Sequence, residues 1–140
     1  LQQVPLFRDC SPLLRDILVT ALGPATYAPG DYLARQGEAG QEIVFITRGE
    51  AEIVGDDGDE PGQTIATLGP GDYFGHLSLA LREPRSVSVR AKGYCEALIL
   101  SQEDYANITA DYPEFREVMK RVAAERSEQA SALLLQGIVL

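Results

Sequence analysis

Apolar residues along the chain keep two different periods, and the change from one to the other divides it. Leu13, Leu14, Ile17, Leu18 and Leu22 recur at the three- and four-residue spacing of a helical face, which predicts an amphipathic helix. Ser11-Pro12 supplies its N-cap and a proline at the first position, and Gly23-Pro24 ends it. From Thr26 onward the runs shorten to strand length. Tyr32 to Arg35, Glu42 to Thr47, Glu50 to Val54, Thr64 to Leu68, Ser86 to Ala91 and Tyr94 to Leu100 read as strands. Turns at Pro29-Gly30-Asp31, Gly37 to Gly40 and Arg48-Gly49 separate them. Helical spacing returns after Ser101, which with Asp104 forms a capping-box pattern opening a short helix through about Ile108. Asp111-Tyr112-Pro113-Glu114 then starts a last helix with Phe115, Val118, Met119 and Val122 on one face. The pattern predicts an α+β fold: an antiparallel β-roll or jelly-roll with a short inserted helix and flanking N- and C-terminal helices. Its parts are residues 1–24, 25–100 and 101–140 of a single domain, 1–140.

The inserted helix lies within Phe74 to Ala91, FGHLSLALREPRSVSVRA. A turn-rich approach, Gly69-Pro70-Gly71-Asp72, leads to Phe74 and Gly75; His76 to Leu81 then hold enough helix formers for one or two turns, and Glu83-Pro84 stops them. A helix that short leaves its N–H groups unpaired, and they form an anion cradle with the positive end of its dipole. Arg85 follows at the head of a strand, and a fixed guanidinium beside a helix N-terminus suits one phosphate. From these residues alone, an ordinary turn with a surface arginine fits as well.

Composition narrows the function. With 140 residues, 45% of them hydrophobic, the chain has the core of one globular domain and no room for a second. Runs such as Ile43 to Ile46 and Leu133 to Leu135 are too short to span a bilayer, so no direct membrane insertion is expected. The start at Leu1, without a methionine, suggests a piece excised from a longer protein. A net charge of −9 argues against nucleic acid as a partner, and it makes each basic residue worth locating. Arg126 continues the stripe of Phe115, Val118, Met119 and Val122; the pattern leaves open whether it aims at what the stripe covers or snorkels to water. The acidic GDDGDEPGQ at residues 55–63 lacks the closing glutamate of a calcium loop and reads as a solvated turn. Cys10 and Cys95 fit no metal or redox spacing and read as thiols in a reducing compartment. His76 is the only histidine, and no serine or cysteine has a visible base partner. A non-enzyme without a bound cofactor is therefore expected.

Phe74 to Ser86 resembles the phosphate-binding cassette of cyclic-nucleotide-binding domains, whose usual pattern is FGE, a small or apolar helical turn, then R followed by S, T or A. Phe74, Gly75, Leu77, Leu79, Arg85 and Ser86 fall on its positions without gaps. His76 departs from the family's glutamate, which accepts a hydrogen bond from the ribose 2′-OH. VPLF before the first helix, PGDY at Pro29 to Tyr32, FITRGEAEI at Phe45 to Ile53, LGPGDYFG at Leu68 to Gly75, SVRAKGYC at Ser88 to Cys95 and YPEF at Tyr112 to Phe115 extend the likeness over most of the chain. They resemble hyperpolarisation-activated, cyclic-nucleotide-gated and ether-à-go-go-type ion channels.

The resemblance implies a cytoplasmic domain of a tetrameric membrane channel, with cAMP or cGMP as ligand. Gly75, Leu77, Ser78, Arg85 and Ser86 would contact the cyclic phosphate and ribose, beside Phe74 and His76. Ile53, Ala66 and Leu68 would line the purine side, and Arg126 would close over the base. Ligand would then favour close packing of the final helix, a population shift that a pore can sense. His76 leaves two outcomes. A working site weakened by one charge-assisted hydrogen bond, about 1.5–3 kcal/mol, keeps a Ser86 hydroxyl for a guanine. The alternative is a domain that has lost nucleotide binding, as in ether-à-go-go channels, with Ile138-Val139-Leu140 as a possible pocket filler. Retention of Arg85 and Arg126 favours binding. A transcription-factor sensor shares the roll but needs a helix-turn-helix and a basic face; a kinase regulatory subunit needs tandem nucleotide domains.

Overall fold

The computed structural model describes residues 8, 10–39, 42–55, 64–75, 85 and 87–125, with side chains at 120 and 122–125 excepted. Helix α1, Pro12–Ala21, begins as the sequence predicts: the Ser11 hydroxyl accepts from the Leu14 N–H at 3.2 Å, and Pro12 follows. Leu14 and Leu18, one turn apart, are buried, whereas Leu13 is 59% exposed. Adjacent leucines point about 100° apart on a helix, so only one of the pair can lie at the centre of the buried face. Gly23-Pro24 end the helix and also open strand β1, Gly23–Tyr27. A proline is tolerated there because β1 is an edge strand, paired among the described residues with β8 alone.

The remaining strands are β2 (Tyr32–Ala34), β3 (Glu42–Arg48), β4 (Ala51–Val54), β5 (Thr64–Leu68), β6 (Tyr73–Phe74), β7 (Ser88–Ala91) and β8 (Cys95–Ser101). They form two antiparallel four-stranded sheets, ordered β1-β8-β3-β6 and β2-β7-β4-β5. With helices before and after the strands in the chain, this is the α+β roll expected from the sequence. Strand β3 explains why Ile43 to Ile46 shows no alternation. Ile43 and Phe45 join the helix-side core with Leu14, Leu18 and Phe115, while Val44 and Ile46 join the inner core with Ile53, Phe74 and Val89. A strand covered on both faces reads as a continuous apolar run.

Helix α2, Gln102–Asp111, runs past the Ile108 end that the sequence suggests; the Ser101 hydroxyl caps it by accepting from the Asp104 N–H at 3.1 Å. Tyr112, held in a non-helical conformation before a proline, separates it from α3, Pro113–Glu125. Phe115, Val118 and Met119 are buried in the helix-side core, as the stripe predicts. The Val122 side chain, the inserted helix at 76–81, most of the acidic loop and the chain from 126 onward lie outside the described residues. Both cysteines are buried. No helix among the described residues is long and apolar enough to cross a membrane.

Candidate functional site: an arginine corner on the roll

The corner is built by a turn that drops a very short strand onto β3. Within Gly69-Pro70-Gly71-Asp72, the Asp72 carboxylate accepts from the Gly69 N–H at 2.8 Å, and the Asp72 N–H returns to the Gly69 carbonyl at 3.0 Å. Gly71 N–H donates to the Ile46 carbonyl, and Ile46 N–H donates to the Asp72 carbonyl, both at 2.9 Å. Strand β6 then pairs Tyr73 with Phe45 and Phe74 with Val44. The sequence shows the turn but not this strand, because two residues carry no period to read. Gly75 follows at φ +104°, where a Cβ would run into the Glu42 carbonyl oxygen and lie 3.2 Å from Ile43 Cα. Only glycine lets the chain leave β6 along this path.

Arg85 is positioned from a different direction. Its N–H donates to the Glu38 carbonyl at 3.0 Å and its carbonyl accepts from the Gly37 N–H at 2.8 Å. That loop is itself closed by the Glu38 carboxylate, which accepts from the Arg35 N–H at 2.7 Å, and is stitched to β7 where Gln36 N–H donates to the Ser88 hydroxyl at 2.9 Å. The side chain is 5% exposed, with Nη2 donating to the Glu42 carbonyl at 3.3 Å and Cζ lying 5.4 Å from the centre of the Phe74 ring. The other terminal nitrogen, Nη1, is buried without a hydrogen-bond partner among the described residues.

Electrostatics agree with that geometry. Burial pushes the Arg85 guanidinium below the ordinary arginine value, and Glu42, then Glu38 and Tyr27, draw it back up. Arginine stays charged in proteins, so the corner holds a positive charge that has left water and lacks part of its hydrogen bonding. An anion accepting from Nη1 would supply what is missing. Tyr27 stands nearby with its phenol pKa raised, by burial first and then by Glu42 and Cys95, with Arg85 opposing.

The apolar wall comes from β4 and β5. Ile53 pairs with Ala66 across these strands and with Val89 on β7, and Ile53, Ala66, Leu68 and Phe74 share one buried cluster with Val87. The structure thus brings together Phe74, Gly75, Arg85, Ile53, Ala66 and Leu68 from the sequence-predicted set. His76, Leu77, Ser78, Ser86 and Arg126 lie outside the described residues. Sequence reasoning missed the Glu42 carbonyl and the Gly37-Glu38 backbone. Glu42 stands 43 positions from Arg85, and nothing in its side chain advertises a backbone acceptor. Among the described residues no group of three or more His, Cys, Asp or Glu is placed to hold a metal ion.

The model of the cyclic nucleotide-binding domain family matches residues 24–112, from β1 to the end of α2. The chain belongs to this family. It is similar to the cyclic nucleotide-gated channel alpha-4 of Mus musculus, with 34% identity over 131 residues, covering 89% of this chain and 22% of that one. The cyclic nucleotide-gated cation channel of Ictalurus punctatus is 33% identical over 131 residues, 89% of this chain and 19% of that one. This cyclic nucleotide-binding domain therefore spans about a fifth of the length of the curated relatives it matches. Among solved structures, the catabolite activator protein of Thermus thermophilus superposes with a TM-score of 0.77 at 28% identity, over 93% of this chain and 61% of that one. The regulatory domain of Toxoplasma gondii PKA with cAMP gives 0.75 at 26%, over 89% and 47%.

Proposed function

We propose that this domain binds a purine 3′,5′-cyclic nucleotide, cAMP or cGMP, at the Arg85 corner and transmits its occupancy through α3 to the rest of a cyclic-nucleotide-gated type of membrane channel. The observation that carries this reading is the buried, unpartnered Nη1 of Arg85. A cyclic phosphate is a compact monoanion that can accept from that N–H, and the wall of Ile53, Ala66 and Leu68 offers the apolar surface a purine needs. The domain acts by binding alone: no bond of the nucleotide is broken, and no metal or second cofactor takes part. Leu77, Ser78, Ser86 and Arg126 take the contacts that their family positions imply. His76 replaces a charge-assisted acceptor by a neutral one, which sets affinity lower without removing the anchor. The similarity to cyclic nucleotide-gated channels supports the channel context, and a cytoplasmic placement and a tetrameric parent are part of the same reading.

Calorimetric titration of the domain with cAMP and with cGMP tests the reading. Micromolar binding to either is expected, and no heat at millimolar concentration of both would overturn it in favour of a domain that no longer takes nucleotide. The likeness to the catabolite activator protein of Thermus thermophilus supports a second reading, the sensor of a transcription factor. A helix-turn-helix with a basic face in the parent protein would favour it over the channel.

A further inference from the structure

We infer that Tyr73 is a positioning residue that fixes where α3 docks on the nucleotide-binding roll, through one buried hydrogen bond from its hydroxyl to the Met119 carbonyl. As a statement about signalling, the inference rests on the nucleotide-binding reading above; as a statement about the helix, it stands on the contact itself. The O–H donates to that oxygen at 3.1 Å, and the two residues are 2% and 3% exposed. The ring is held against Phe45, its cross-strand partner, with centroids 5.6 Å apart.

What makes the contact informative is its neighbour in the chain. Tyr73 and Phe74 are the two residues of β6, and successive strand residues face opposite ways. Tyr73 belongs to the core shared with α3, and Phe74 to the inner core, where its ring lies under the Arg85 guanidinium. A shift of β6 imposed at the arginine corner is therefore felt at once on the helix side. The apolar contacts of Phe115 and Val118 hold α3 to the roll, but such contacts have no preferred direction and permit sliding and rotation. A hydrogen bond to one mid-helix carbonyl selects a single axial position and a single rotation.

Tyr73→Phe keeps the ring and removes the hydroxyl that donates to Met119. Hydrogen exchange of the full chain without ligand is expected to show α3 amides opening about tenfold faster in Y73F, with β3 and β8 amides unchanged, since a buried hydrogen bond of this kind is worth about that factor. Nucleotide affinity is expected to weaken by up to about tenfold in the same variant. Unchanged α3 exchange, or acceleration spread evenly over the roll, would overturn the inference. If the unsubstituted domain takes no nucleotide while Y73F still loosens α3 selectively, the positioning role stands and the nucleotide reading falls.

Discussion

Arg85 and Arg90 lie on one stretch of chain, before and within β7, and the fold treats them in opposite ways. Arg90 is partly exposed and donates through Nη2 to the Glu52 carboxylate at 3.1 Å, the residue directly across from it in the sheet. That hydrogen bond, ahead of the cost of burial, raises its pKa above the ordinary arginine value. Arg85 has gone deeper, its pKa moves the other way, and it has a backbone carbonyl and an aromatic face where Arg90 has a carboxylate. Glu42 and Glu38 are close enough to pull on the charge, yet neither satisfies Nη1. The fold completes Arg90, whereas it leaves Arg85 with a nitrogen to complete, which is the place the proposed nucleotide would fill.

The sharpest way to break this contrast is to remove each guanidinium. Arg85→Ala should lower nucleotide affinity by about tenfold to a hundredfold, the loss of the charge-assisted hydrogen bond from Nη1 at about 1.5–3 kcal/mol. Arg90→Ala should leave affinity within about twofold and cost at most about 1 kcal/mol of stability, as partly exposed ion pairs do. Calorimetry beside thermal melting separates the two, and comparable affinity losses would erase the distinction. Next in size is the backbone that frames the corner. Gly75→Ala should destabilise the domain by about 1–3 kcal/mol in urea unfolding, through its positive φ and the collision with the Glu42 carbonyl. Gly30→Ala, also at positive φ but in open space, should cost less than Gly75→Ala; equal losses would mean the close approach contributes nothing.

A further variant, Glu52→Gln, tests the completed arginine and should cost less than about 1 kcal/mol with nucleotide affinity unchanged. The smallest expected effect is a pH dependence near the Arg85 side. Burial raises Cys95 above 9.0 and Tyr27 above 10.0, so folding favours their neutral forms. Their contribution is complete below about pH 9 and is lost as pH rises through the raised values. Melting temperature should therefore fall above pH 9, and Cys95→Ala should blunt the onset. The Arg90 pair is insensitive over that range because the Glu52 hydrogen bond raises its pKa from an ordinary arginine value that already lies well above it. A melting temperature flat to pH 10.5 would contradict the assignment to Cys95.

How much of this was legible in the sequence differs by the kind of signal. Periodicity and caps carried the helices: Ser11-Pro12, Ser101 and Pro113 all stand where the chain begins to coil. Thr64 to Leu68 coincides with β5, because flanking turn residues marked both ends. Where the signal was local but the partner remote, it failed. Pro24 looked only like a stop, since nothing in the linear chain says that the next strand is an edge. Leu13 sat in the apolar stripe by adjacency and emerged exposed. For the site, spacing singled out Gly75 and Arg85, and the resemblance added Ile53, Ala66 and Leu68. The depth of Arg85, its unmatched nitrogen and the Tyr73 bond to Met119 depend on which segments meet in space, and no linear pattern encodes that.

The Glu42 carbonyl both blocks any side chain at Gly75 and accepts from Arg85. Because that oxygen belongs to the main chain, every amino acid at position 42 brings it along. An alanine scan of β3 would report the position as a modest electrostatic neighbour and overlook its larger part. The corner is in this sense insulated from point mutation on one side: drift at residue 42 can retune the charge around the guanidinium while its anchor persists. Only an amide-to-ester exchange at that peptide bond, which weakens the carbonyl as an acceptor, would expose the contribution directly.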